Sequence, residues 1–333
     1  MEKVVIALDA MGGDYAPEQT VKGAVEAVNS SDEIRVILVG KQDMIAKELE
    51  KYKYAKEDIE VVHASEIIDM GDVPTVAIKD KKDSSLVVAM RLVREGKADA
   101  LVSAGSTGAV LVGGQLVVGR LKGIKRPPLA PFIPTTKGFS LLIDCGANVD
   151  ARPEHLVQFA QMGSIYYENV MGKKNPTVAL LNIGTEEEKG NQLVKETYPL
   201  LKECEGINFI GSVEAREIAS GGADILVCEA FVGNVILKFF EGVALTFLGC
   251  IKEGLMSSLR TKLGALMVKP ALKGLVKTFD VSSQGGAPLL GLKGLVVKAH
   301  GNSKAKEIKT ALCQCIAFKE NSINEKITDM IQK

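Results

Sequence analysis

The sequence predicts an α/β fold with a mostly parallel sheet and helices on both faces. Three observations predict it. Short apolar runs alternate with amphipathic stretches from the N-terminus onward, the rhythm of βαβ units. Most apolar runs end in a Gly- or Asn-bearing turn and pass straight into a helical pattern. The 333 residues, 46% hydrophobic and 25% charged, suit one large α/β body or about two domains.

The elements follow in order. "KVVIALDAM" is a strand ending at Gly12-Gly13-Asp14, and "PEQTVKGAVEAVN" has helical spacing with Pro17 in its first turn. "IRVILVG" is a buried strand, "KQDMIAKELEKY" an amphipathic helix and "IEVVHAS" a third strand. "SSLVVAMRLVREGKA" is a helix, and "DALVSAGSTGAVLVGGQLVVG" gives strand, turn and apolar helix. "IKRPPLAPFIPTTKG" holds four of the eleven prolines and reads as an extended connection. Four further strands open the segments at 139, 176, 207 and 223; "INFIGSVEAREI" is the loosest strand-to-helix passage. Residues 246–278 break the rhythm as a helical, basic excursion interrupted by Pro270, and the tail returns to strand, loop and helix. The expected organisation is therefore an α/β body, 1–245 with 279–333, carrying a helical hairpin at 246–278.

Composition excludes several classes. Lys plus Arg and Asp plus Glu are both 41, and a general nucleic-acid binder would show a basic excess. The six cysteines form no CxxC pair, and the N-terminus reads as a first strand rather than a signal peptide, so reduced thiols in a cytoplasmic protein are expected. No uninterrupted apolar stretch reaches about 18 residues, so no transmembrane helix is expected. His63, His155 and His300 are too scattered for a metal site.

Ligands of open parallel sheets sit at the carboxyl ends of strands. Six turns fall there: "DAMGGDYAP", "SAGSTGA", "DCGANVDARPEHL", "NIGTEEEKGN", "CEAFVGNVILK" and "AHGNS". In "SAGSTGA", Gly105, Ser106, Thr107 and Gly108 let backbone N–H groups approach an anion at a helix start. Without a P-loop lysine, nucleotide binding does not follow, and Ser106 or Thr107 can equally be an N-cap. Asp14, behind Gly12 and Gly13, either holds a substrate or caps the next helix, and capping is the stronger reading by propensity. Cys145 lacks a sequence-adjacent histidine and reads as a buried structural thiol. In "NIGTEEEKGN", Thr185 and Glu188 have capping-box spacing and the acids suit a first helical turn, leaving Lys189 as the fixed positive charge and Gly190 unexplained. Leu255, Leu259, Leu263 and Leu266 repeat at helical period with Met256 and Met267 beside them. Arg260, Lys262, Lys269, Lys273 and Lys277 supply a basic side. Such a helix either packs on a partner or the body, or lies in a bilayer interface.

Taken together, the stretches "ALDAMGGDYAPE", "SAGSTGA", "RPPLAP", "DCGANVDARPEHLVQFA", "LLNIGTEEEKGN", "FIGSVEAREI", "FVGNVILK" and "KAHGNS" resemble the PlsX family, the bacterial acyl-ACP:phosphate acyltransferases. They span nearly the whole chain in order. The resemblance implies a three-layer α/β/α fold like that of isocitrate and isopropylmalate dehydrogenases. It implies a reaction in which inorganic phosphate and fatty acyl carrier protein give acyl phosphate and free carrier. That product feeds a glycerol-3-phosphate acyltransferase in phospholipid synthesis. It also implies a cytoplasmic homodimer attached peripherally to the membrane, with no cofactor and no metal. The chain departs from the family at Ser106, where Asn is usual, and at Glu229-Ala230, where Asp-Gly is usual.

With that chemistry, the expected catalytic residues are Lys189, Asn234, Asp14, Glu229 and His300. Lys189, Ser106, Thr107 and adjacent glycine amides would bind phosphate, and Asn234 with nearby N–H groups would stabilise the oxyanion. The wider phosphate and acyl site would comprise Gly12, Gly13, Gly105, Gly108, Asp144, Asn148, Asn182, Gly184, Thr185, Glu186, Gly190, Asn191 and Gly233. Membrane contact would fall on Leu255, Leu259, Leu263, Leu266, Lys262 and Lys269, since a lipid enzyme has use for an exposed basic hairpin. The rivals are a dehydrogenase or phosphate acetyltransferase of the same fold, and a non-catalytic scaffold binding carrier protein and membrane. Against a dinucleotide enzyme, "DAMGGD" has the wrong glycine spacing for GxGxxG.

Overall fold

The structure, a computed structural model, describes residues 3–278 and 284–331. Its strands are β1 (Val4–Asp9), β2 (Ile34–Gly40), β3 (Ile59–His63), β4 (Ala100–Ser103), β5 (Phe132–Thr135) and β6 (Gly138–Ile143). They continue with β7 (Thr177–Asn182), β8 (Asn208–Glu214), β9 (Ile225–Val227), β10 (Ala287–Leu289) and β11 (Leu295–Lys298). The helices of the first half are α1 (Glu18–Val28), α2 (Gln42–Leu49), α3 (Pro74–Asp80), α4 (Ser85–Arg94) and α5 (Thr107–Gly113). After them come α6 (Pro153–Met171), α7 (Gln192–Lys202), α8 (Ala230–Met256), α9 (Leu259–Thr278), α10 (Ala305–Glu320) and α11 (Ile323–Ile331).

The strands form two sheets rather than one. The first has the order β10-β11-β4-β1-β2-β3 and the second β5-β6-β9-β7-β8. Only the edge strands β10 and β5 run antiparallel. Both sheets are covered on both faces, which is why their strands read as near-continuous apolar runs. The period of two sorts each strand between cores. Ile6, Leu8, Val36, Leu38, Leu141, Ile143, Val178 and Leu180 join a central core shared with α1, α6, α10 and α11. Ala7, Ile37 and Val39 face α3, α4 and α5. Leu142, Ala179, Leu181 and Leu226 face a third cluster that the start of α8 closes.

Several local expectations change. Helix α1 begins with Pro17 at its cap position and no side-chain cap, so Asp14 does not cap it. The Asp14 N–H instead donates to the Gly301 carbonyl at 2.8 Å. Residues 183–190 are turns, and α7 starts after them with the Asn191 side chain accepting from Val194 N at 3.0 Å. Thr185 and Glu188 therefore form no capping box, and the three glutamates are not first-turn acids. Gly190 is explained instead by a φ of +106°, which places the chain for Asn191 to cap.

The hairpin is also larger than its sequence signal. α8 runs unbroken from Ala230, so the excursion has no start at 246. Its turn is Ser257–Ser258, and α9 continues through Pro270. Leu255 thus lies on α8, apart from Leu259, Leu263 and Leu266 on α9. The Lys277 side chain lies outside the described ones.

Candidate functional site

The six turns singled out by sequence all follow strand ends: β1, β4, β6, β7, β9 and β11. Three of them converge on the rim of the first sheet. A Cβ on Gly12 would lie 2.8 Å from Gly105 N and would overlap the Asp9 carboxylate. Gly13, at φ +103°, sits against Ala104 and the Gly301 carbonyl. The turns after β1, β4 and β11 are thus in backbone contact, and only glycine allows that approach.

Asp9 holds this rim together, and sequence reasoning missed it. It is 2% exposed and accepts from Ser85 Oγ at 2.6 Å, Ser103 Oγ at 2.7 Å and Met11 N at 3.3 Å. Burial pushes its carboxyl above the ordinary value, against the pull of those donors. Ser106 caps α5 through Ala109 N at 3.5 Å, one of the two sequence readings. Ser106 is buried, whereas Thr107 is exposed at the first helical turn. A Cβ on Gly108 would press into Pro74.

Lys298 is the second residue missed. It ends β11, is 8% exposed, and its ammonium donates to the neighbouring Ala299 carbonyl. Burial, aided by the Lys238 charge, pulls it down to about 8, while Asp9 and Asp14 pull the other way. The available signal was a lysine closing an otherwise apolar strand, "GLVVKAHGNS". His300 is exposed, and its Nδ1 faces Asn302 N at 3.5 Å.

A second group forms where β6 and β9 end. Asp144 is fully buried and accepts from Leu129 N, Ala147 N, Asn148 N and Asn148 Nδ2 at 2.7–3.2 Å. Burial pushes Asp144 up to about 6 despite these donors. Glu229 caps α8, accepting from Phe231 N at 2.5 Å and Val232 N at 3.0 Å. A Cβ on Gly233 would overlap the Asp144 carbonyl, so α8 leaves the body with its backbone pressed on the second sheet's rim. Asn234 is exposed beside Gly146, and Lys238, one turn further, acts electrostatically on both Lys298 and Cys145. α8 therefore bridges the two rims.

Burial pushes the Cys145 and Cys228 thiols far above the ordinary range, which removes both as nucleophiles. His155 is committed to α6, its Nδ1 accepting from Arg152 N at 3.1 Å.

The loop after β7 leaves the same edge of the second sheet, next to the end of β9, since Leu180 pairs with Val227. Asn182 donates to the Lys189 carbonyl at 3.1 Å, and the Lys189 stem lies over Gly184. Glu186 closes the turn to Lys189 N through its carbonyl at 3.1 Å. Thr185, Glu186 and Lys189 are exposed, and Glu187 pairs with Lys202 at 2.8 Å. Among the described residues, no group of three or more His, Cys, Asp or Glu is placed to hold a metal ion.

A sequence profile described as "Fatty acid synthesis protein" matches residues 4–326. A phosphate acyltransferase from Clostridium acetobutylicum is 51% identical over 99% of both chains. One from Alkaliphilus oremlandii is 54% identical over 97% of this chain and 96% of its own. Among solved structures, a phosphotransacetylase from Streptococcus pyogenes has a TM-score of 0.64 at 17% identity, covering 95% of this chain and 94% of that one. A 4-hydroxythreonine-4-phosphate dehydrogenase from Klebsiella pneumoniae has 0.53 at 14%, covering 95% and 99%. These distant likenesses establish the fold, the mostly parallel α/β architecture shared with that dehydrogenase. The full-length matches establish the family: the chain belongs to the phosphate acyltransferases, the PlsX family.

Proposed function

We propose, with that membership as premise, that this acyltransferase moves a fatty acyl group from acyl carrier protein to inorganic phosphate at the rim of the first sheet. The observation that carries this reading is the buried Lys298 ammonium beside three glycine turns in mutual contact. A phosphate needs positive charge and close backbone amides, and this rim supplies both.

In the step, a phosphate oxygen attacks the thioester carbonyl carbon. The new C–O bond forms, the C–S bond breaks through a tetrahedral oxyanion, and the carrier thiolate takes a proton. The attacking group is the substrate, so positioning and charge stabilisation are what the protein must provide. Lys298, Ser106, Thr107 and the amide of Gly108 hold phosphate, with Gly12, Gly13 and Gly105, whose own N–H donates to Ser103 Oγ at 3.1 Å, giving it room. Asn234 faces the oxyanion from α8. Glu229 and Asp144, with Asn148 and Gly233, act by fixing the start of α8. Asp14 and His300 flank the β11 turn, where His300 protonates the leaving thiolate. Lys189, with Asn182, Gly184, Thr185, Glu186, Gly190 and Asn191 shaping its loop, adds a second cationic contact.

The same reading places the enzyme in the cytoplasm, on the membrane surface and as a homodimer, supplying acyl phosphate to a glycerol-3-phosphate acyltransferase. Its support is the hairpin. Phe239, Leu259 and Met267 are 72%, 81% and 84% exposed, far more apolar surface than scattered singles. Among the described residues, α8 is the one helix long and apolar enough to cross a membrane, by length and composition. The basic residues Lys262 and Lys269 on α9 fit an interfacial position better than a span. Flotation with anionic vesicles tests this: Leu259→Glu should release the protein, and unchanged binding sinks the membrane role.

The activity is tested by incubating the protein with palmitoyl-acyl carrier protein and phosphate. Free carrier thiol should appear with an equal amount of acyl phosphate. Thiol release that does not depend on phosphate overturns the assignment.

A further inference from the structure

On the outer face of the first sheet, α3, α4 and the helical extension of α5 enclose an open cleft of about 610 Å³. Four cations line it: Lys79, Lys82, Arg91 and Arg94. Their spacing puts them on one side, since Lys79 and Lys82, and Arg91 and Arg94, are each three apart near or within a helix. All four are exposed. The one carboxylate in the lining, Glu95, is held by Lys97 at 2.8 Å. Asp83, near Arg91, is taken by Ser65 through Oγ at 2.5 Å and N at 2.9 Å. The floor is apolar, with Ile78 and Val87 beneath and Leu116 standing 70% exposed at its edge.

An apolar floor ringed by uncommitted cations is complementary to an amphipathic acidic helix. A bilayer is convex or flat and does not enter a cleft, and the surface suited to it lies elsewhere, on α8 and α9. Position adds a second argument. Leu116 sits on the π-helical turn Gly114–Val118 that continues α5, the helix whose first turn forms the phosphate rim. Ten residues of helix separate Ser106 from Leu116, about 15 Å of rise. A partner seated in the cleft therefore stands one helix length from the reacting atoms, within reach of a flexible arm.

We infer that this cleft docks an acidic helix of the acyl carrier protein, so that its thioester arm runs along α5 to the rim. The inference rests on the carrier being the acyl donor. Charge in such an encounter acts mainly on association and specificity, so its loss should raise KM for the carrier and spare kcat.

The experiment uses the full-length enzyme with palmitoyl-acyl carrier protein. Arg91→Glu with Arg94→Glu should raise KM for the carrier at least about tenfold, with kcat nearly unchanged. The dissociation constant of holo-acyl carrier protein should rise in parallel. Lysine at both positions should restore most of the affinity. Lys47→Glu with Lys174→Glu, an equal charge change elsewhere, should leave both quantities unaltered. Circular dichroism melting should match wild type, since the altered side chains are exposed. An unchanged KM for the carrier in the Glu variant overturns the docking site. So does loss of binding to phosphatidylglycerol vesicles while carrier affinity persists. If the wild-type enzyme releases no carrier thiol, the donor assignment itself has failed and the docking site falls with it.

Discussion

The glycine turns at the rim of the first sheet and the loop after β7 carry similar residues but are built differently. At the rim, the turns after β1, β4 and β11 touch through their backbones, and Asp9 ties β1 to Ser85 and Ser103 from below. The loop after β7 is closed by Asn182, which donates to the Lys189 carbonyl, while Asn191 caps α7, and its charged side chains are exposed. A lysine in the rim is desolvated and fixed. A lysine in the loop is solvated and screened. On the proposed function, the same ammonium would therefore be worth more to phosphate at 298 than at 189.

The largest effect should come from Lys298→Met, which should lower kcat/KM for phosphate about 100-fold with the fold intact. In wild type, phosphate affinity should fall as pH rises through about 8, where the ammonium is lost, and that inflection should vanish in the variant. The sign follows from burial, which favours the neutral amine. Next in size, Gly12→Ala should destabilise by about 2 kcal/mol, because the methyl collides with Asp9 and the Gly105 amide. Chemical denaturation measures it, and a near-neutral result would mean the turns are not in close contact. Lys189→Ala should cost roughly tenfold in activity, about 1.4 kcal/mol. A loss as large as that of Lys298→Met would break the contrast and put the loop at the phosphate. Smallest of all, Glu187→Gln should change stability by less than about 0.5 kcal/mol, since its pair with Lys202 is surface-exposed.

The fold was readable because strands buried on both faces leave long apolar runs, and all six strand-end turns proved to be where the pattern put them. Division into two sheets was not readable, since β5 and β10 are short antiparallel edges with no distinctive pattern. The glycines of the rim were legible from composition, but their mutual contact is tertiary. Asp9 and Lys298 each close an apolar strand, a signal that flags the position but does not say whether the end group is buried. The capping box at Thr185 was a correct spacing in the wrong place. Asn191 six residues later offered the same chemistry, and Gly190 supplied the left-handed step that only the later start requires. Hairpin boundaries were blurred because α8 keeps its helical pattern from the site outward.

That continuity has a mechanical side. α8 is a rod rooted at Glu229 and Gly233 whose far end, Met256, lies about 40 Å away by helical rise, where the chain turns back into α9. Its fulcrum is a backbone contact too tight for a methyl group, and Asn234 is the next residue out. A tilt of about 10° at the root sweeps the tip by about 7 Å. By the same leverage, a surface that seats the tip within a few ångströms would fix the angle at which Asn234 meets Gly146.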